Sequence, residues 1–102
     1  MEYNKLVRDK IPEIIEKDGK TCKTRILTDS EYFHALNAKL REEVREYSES
    51  GEIVELADIE EVLRAILAVK GISYEDFERV RKVKADWRGS FGKKIFLESV
   101  EE

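Results

Sequence analysis

The sequence predicts a mainly all-α protein: a helical bundle around an antiparallel helix hairpin, with a minor two-stranded β element near the termini, completed by oligomerisation. Three observations carry that expectation. Apolar residues recur at alternating three- and four-residue steps at Phe33, Leu36, Leu40 and Tyr47, and again at Ile59, Val62, Ile66 and Val69, the spacing of a core-facing stripe on a helix. A short turn, SESG at Ser48 to Gly51, separates the two stripes. Hydrophobic and charged residues each make up 41% of the chain, so burying the long stripes calls for a second copy packed helix on helix, a homodimer or higher homo-oligomer.

Taken in order, MEYNKLVRDKIPEIIEKDGK reads as an extended arm and then a helix, with Asp9 as N-cap, Pro12 in the first turn and Gly19 after the last. The arm sets Lys5, Arg8 and Lys10 against Asp9. TCKTRIL (residues 21–27) reads as a short strand with Cys22 as a structural thiol. Thr28 and Glu31 form a capping box for the first long helix. His34 has no companion ligand and reads as a surface residue. The second long helix runs to about Lys70 and is stopped by Gly71. Ser73 and Asp76 open another helix that ends at Gly89, with Phe77, Val80, Val83 and Trp87 as core or dimer interface. Gly89 and Gly92 allow a tightly turned link, and residues 94–100 (KIFLESV) read as a last strand able to pair with residues 21–27, which would bring both basic regions together.

A chain of 102 residues is one domain, 1–102. The net charge of -4 argues against general nucleic-acid binding. One cysteine cannot form an internal disulfide. Neither a leader nor a membrane-length apolar run is present, so no membrane contact and a cytoplasmic location are expected.

The chemistry concentrates in two carboxylate pairs, Glu43 and Glu46 in LREEVREY and Glu55 and Asp58 in VELADIEEV. Residues equidistant from the turn of a hairpin face each other, which sets Glu43 opposite Asp58 and Glu46 opposite Glu55. Glu43 and Glu55 occupy slots on the apolar stripes, whereas Glu49, Glu52, Glu60 and Glu61 fit a solvated face. Like charges held this close repel and raise each other's pKa values unless a cation neutralises them, and an all-oxygen donor set suits Mg²⁺, with Mn²⁺ as substitute. Lys39 lies one turn before Glu43, able to touch a phosphate or pair with a carboxylate. Glu42, rotated about 100° from Glu43, is a candidate to orient or deprotonate water. From Arg79 to Lys94 seven cations, including Lys84, Arg88, Lys93 and Lys94, face only Asp86, and phosphates are natural counterparts.

EExxE at Glu42, Glu43 and Glu46, followed by ExxD at Glu55 and Asp58, resembles the MazG-like all-α nucleoside triphosphate pyrophosphohydrolases. The flanks, YNKLVRDKIPEII and WRGSFGKKIFLE, are similar to the small single-domain branch often labelled phosphoribosyl-ATP pyrophosphohydrolase-like. The resemblance implies a helical bundle built by oligomerisation, Mg²⁺ held by Glu43, Glu46, Glu55 and Asp58, and hydrolysis of a nucleoside triphosphate between its α- and β-phosphates. Glu42 and Glu43 are then the catalytic candidates, and Lys39, Lys5, Arg8, Lys84, Arg88, Lys93 and Lys94 the candidate substrate contacts. The histidine that phosphoribosyl-ATP enzymes tend to carry after the second acidic motif is missing from ADIEEVLRA, which makes phosphoribosyl-ATP the runner-up substrate. A different class of reading is a non-enzymatic helical module whose acidic hairpin binds a basic partner.

Overall fold

The computed structural model describes residues 3–101, so the first two positions of the expected arm lie outside the described residues. Four helices follow in order: α1 (Ile11–Lys17), α2 (Asp29–Ser50), α3 (Ile53–Val69) and α4 (Tyr74–Arg88). α2 and α3 pack along their length as the hairpin, and α4 touches only α3.

Local chemistry sets the boundaries. The Thr28 hydroxyl accepts from the Glu31 N–H at 3.2 Å while the Glu31 carboxylate accepts from the Thr28 N–H at 3.0 Å, the reciprocal box that satisfies two otherwise orphaned donors. Arg25 grips the same carboxylate with two nitrogens, at 3.2 and 3.1 Å. That hydrogen bonding, from Arg25 first and Thr28 next, holds the Glu31 carboxyl down to about 2. A depressed carboxyl pKa stabilises the fold above about pH 4.5 and loses that contribution as the pH falls toward 2. Thr28→Ala should therefore lower stability by about 1 kcal/mol at neutral pH, read from urea midpoints, and by less near pH 2. An equal loss at both pH values would remove the Glu31 half of the box from the account.

α2 runs three residues further than its turn signal implied, through Ser50. The Ser48 hydroxyl donates back to the Val44 carbonyl at 3.0 Å and so is accommodated inside the helix. Gly51, at φ +67, takes the left-handed C-cap and its N–H donates to the Tyr47 carbonyl at 2.7 Å. Only Gly51 and Glu52 separate the two long helices, which fixes them as antiparallel neighbours. Ser73 caps α4, its hydroxyl accepting from the Asp76 N–H. α1 departs from expectation: it begins one residue later, with Lys10 rather than Asp9 at the N-cap and no side-chain cap. Pro12 still fits, since the first turn needs no N–H there.

Leu36, Val62 and Leu67 are the buried apolar residues, and Glu43 is the buried charged one. Phe33, Leu40 and Tyr47 flank Leu36 and Glu43 half-buried on the expected α2 stripe, and Ile59 and Ile66 do the same for α3, while Leu67 lies off the stripe read from the sequence and Val69 is 42% exposed.

Two expectations are corrected, and one, that the α4 stripe is core or dimer interface, is narrowed. Among the described residues no strand forms: residues 21–27 and 94–100 stay irregular, because neither meets the other to share a ladder. Cys22 is accordingly an exposed free thiol near the Pro12 carbonyl, not a strand thiol. The α4 stripe is not protomer core, for Val80, Val83 and Trp87 are 67, 67 and 82% exposed and only Phe77 is half-covered. The tail continues this apolar surface through Phe91, Ile95, Phe96 and Leu97. The radius of gyration is 18.3 Å, against about 13 Å for a compact chain of this size. The accessible surface is 9600 Å², where a compact monomer of this mass exposes about 5,900 Å².

Candidate metal centre

Placing a carboxylate on each of two apolar stripes forces the pair into the hairpin interface. Glu43 on α2 is 5% exposed, and one oxygen each from Glu43, Glu55 and Asp58 lies within 4.8 Å of the others. Glu55 and Asp58 are half-buried on the first turns of α3, directly after the tight Gly51–Glu52 link. Glu46, one turn beyond Glu43, is half-buried; it stands outside the three-carboxylate group but close enough to act on Glu43.

The electrostatics are unbalanced. Burial pushes the Glu43 carboxyl upward; Lys39, whose Nζ lies 3.2 Å from Glu43 Oε1, opposes that rise, and Glu46 adds to it, so the group stays above its ordinary value. Burial likewise disfavours the Lys39 ammonium, yet its hydrogen bond to Glu43 and the charge of Glu42 outweigh this and its pKa is raised. The second Glu43 oxygen, Oε2, is buried and has no hydrogen-bond partner. A buried carboxylate oxygen left without a donor is costly, by roughly 1–3 kcal/mol or more for a charged group.

The N-terminal arm folds onto this cluster. Arg8 Nη2 donates to Asp58 Oδ1 at 2.6 Å, and Lys5 Nζ lies 3.5 Å from Glu42 Oε1, with Lys39 at 3.5 Å from the other Glu42 oxygen. Glu42 is thus clamped between two ammonium groups, and Lys39 takes the carboxylate-pairing option of the two open to it. Five carboxylates, Glu42, Glu43, Glu46, Glu55 and Asp58, meet three cations, Lys5, Arg8 and Lys39, which leaves a formal charge of -2 when all are ionised.

The docking of the arm is what sequence reasoning missed. Arg8 and Asp58 are 50 residues apart, and no periodicity links an extended segment to a helix. The signal available was the excess of cations in the arm beside an excess of acids in the hairpin.

The α4 and tail cations are placed differently. Lys84 and Arg88 are exposed on α4, Lys93 and Lys94 are exposed in the tail, and among the described residues none of the four forms an ion pair with the cluster. Arg88 lies over the Trp87 ring instead. His34 is exposed, edge-on to Phe33, as a surface residue should be. Of the outer acids, Glu49, Glu52 and Glu61 are exposed, while Glu60 is half-buried beside Arg64.

Donor chemistry fits a hard divalent cation: all-oxygen, inward, with one orphaned oxygen and a residual charge equal and opposite to that of Mg²⁺ or Mn²⁺. The three clustered oxygens need only a small side-chain adjustment, because oxygens sharing one Mg²⁺ at about 2.1 Å stand roughly 3–4 Å apart.

Comparison with known proteins adds little to this geometry. No family model matches the chain, and no solved structure matches it. A protein of Mycolicibacterium smegmatis described as uncharacterized is 58% identical over 41 residues, which is 40% of this chain and 42% of that protein. The match therefore spans well under half of the relative's length. No helix among the described residues is long and apolar enough to cross a membrane.

Proposed function

We propose that the chain is a Mg²⁺-dependent nucleoside triphosphate pyrophosphohydrolase, in keeping with its resemblance to the MazG-like enzymes. The observation that carries the reading is the Glu43 carboxylate: buried on an apolar stripe, with one oxygen unpartnered and Glu55 and Asp58 converging on it. A purely structural acid has no reason to be kept there.

Glu43, Glu55 and Asp58 would hold the ion, with Glu46 as the fourth ligand. When bound, Mg²⁺ supplies positive charge to the phosphate oxygens and lowers the pKa of water. The chain's own groups do the rest. Lys39, raised in pKa and so firmly protonated, offers its ammonium to a phosphate at the same level of the hairpin. Glu42 orients the attacking water and takes its proton once one of its two ammonium partners has turned to the substrate. Water adds across the α–β anhydride, the bridging bond breaks, and the leaving pyrophosphate carries the electron pair away. Lys5 and Arg8 stand at the site's edge, where a triphosphate tail would meet them. Lys84, Arg88, Lys93 and Lys94 reach a substrate only in an assembly, from a second copy.

That assembly is the other half of the proposal. The surface exceeds that of a compact monomer by about 3,700 Å², and the excess is apolar along α4 and the tail. A homodimer or higher homo-oligomer in the cytoplasm covers it, and residues 21–27 and 94–100 could find their strand partners there.

The test is a panel of standard and modified nucleoside triphosphates, phosphoribosyl-ATP included, incubated with the protein and Mg²⁺. A nucleoside monophosphate and pyrophosphate are expected from at least one. Release of orthophosphate, or no turnover of any member, would sink the proposed bond cleavage.

A further inference from the structure

The arm makes its most direct contact with a ligand residue. Arg8 donates to Asp58 Oδ1 at 2.6 Å, Asp58 being one of the three carboxylates that converge in the cluster, and Lys5 reaches Glu42 next to it. Between them the two contacts close loops of 50 and 37 residues, yet the segment that makes them has no helix or strand of its own before Ile11. These two contacts are the side-chain hydrogen bonds that residues 3–10 make to the hairpin. The pairs are also partly wet, with Arg8 and Asp58 at 55 and 31% side-chain exposure and Lys5 and Glu42 at 45 and 21%. Pairs this exposed are weak and therefore open and close readily.

The geometry points to the arm as a built-in counter-cation of the site: a divalent ion exchanges with Arg8 for Asp58 instead of adding beside it, and releases the arm. Charge favours exchange. With Arg8 docked the cluster carries -2, and with Arg8 released it carries -3, so the metal gains attraction by displacing it. Placement favours it as well, since Arg8 and the ion draw on the same carboxylate, and a docked guanidinium keeps its positive charge beside the position the ion would take. The freed guanidinium stays tethered three residues before α1, within reach of the same site, and is then available to an anion. The arm thus couples metal loading to presentation of a cation for the substrate's phosphates. This inference rests on the metal reading above, and it concerns order: metal first, arm second.

The experiment titrates Mn²⁺ into the full chain and into Arg8→Gln by calorimetry, without nucleotide, and follows trypsin cleavage after Arg8 with and without Mn²⁺. Trypsin must take the Arg8 side chain into its own acidic pocket, so a docked Arg8 is protected, while cleavage after the exposed Lys23 serves as the internal control. Arg8→Gln should bind Mn²⁺ about three- to fivefold more tightly than the natural chain, the factor that a partly exposed ion pair removes from a competing equilibrium. Mn²⁺ should speed cleavage after Arg8 by a similar factor and leave cleavage after Lys23 unchanged. Saturable Mn²⁺ binding of equal or lower affinity in Arg8→Gln, or an unchanged Arg8 cleavage rate in the natural chain, overturns the exchange while leaving the metal site standing. Absence of saturable binding in both chains overturns the metal reading and the exchange with it.

Discussion

Glu43→Gln should lose turnover by roughly 100-fold or more, the scale seen when a group that stabilises transition-state charge is removed, and should do so without losing stability. The two halves of that result come from the same fact. Burial raises the Glu43 carboxyl, so the folded chain holds a proton more tightly than the unfolded one. Between the ordinary carboxyl value and the raised one, stability falls as the pH rises, and above the raised value the fold bears the cost of a buried charge in full. Glutamine keeps the shape and leaves Lys39 a carbonyl oxygen to donate to, but carries no charge at any pH. Thermal or urea unfolding at pH 7 should therefore show Glu43→Gln at least as stable as the natural chain while its activity is gone. An active variant would remove Glu43 from the site; an inactive and strongly destabilised one would make it a structural acid. Asp58→Asn should lose turnover likewise, and full activity in that variant would remove Asp58 from the site.

A mass of at least twice 11.9 kDa is expected in solution at micromolar concentration, and Val83→Asp should reduce it. The substitution is informative because Val83 is 67% exposed in the protomer, and Val80 and Trp87 beside it are equally open. An aspartate there costs an isolated protomer little, since the position already faces water. Placed in an apolar interface it would strand an unpaired charge, which interfaces tolerate poorly. Sedimentation velocity separates the cases. A strictly monomeric natural chain ends the oligomer proposal, and a Val83→Asp chain that keeps the oligomer's mass removes the α4 face from the interface.

Most of the helical architecture was legible in the residues themselves. Thr28 with Glu31, Gly51, Gly71 and Ser73 with Asp76 act within one turn of their own backbone, so they mark helix ends without any knowledge of the rest of the fold. The stripes at 33, 36, 40, 43 and 47 and at 55, 59, 62 and 66 are periodic, and periodicity survives folding unchanged. The convergence of Glu43, Glu55 and Asp58 followed from those stripes plus one short link. Strands were a different matter. Residues 21–27 and 94–100 have the alternation and the β-branched or aromatic content of strands, but a strand needs a partner edge, and alternation cannot supply one. The amphipathic face of α4 was equally visible, while its exposure in the protomer was not.

The residues alone specify an antiparallel helix hairpin with acidic side chains in its apolar seam, because both follow from spacings of three and four along a helix and from caps that act locally. Which cations meet those acids was settled by the packing of the folded chain. Arg8 on Asp58, Lys5 on Glu42 and an oxygen of Glu43 left without a donor are consequences of chain reversal over tens of residues, where the outcome is set by how an irregular arm lies across two helices and not by any repeat in the residues.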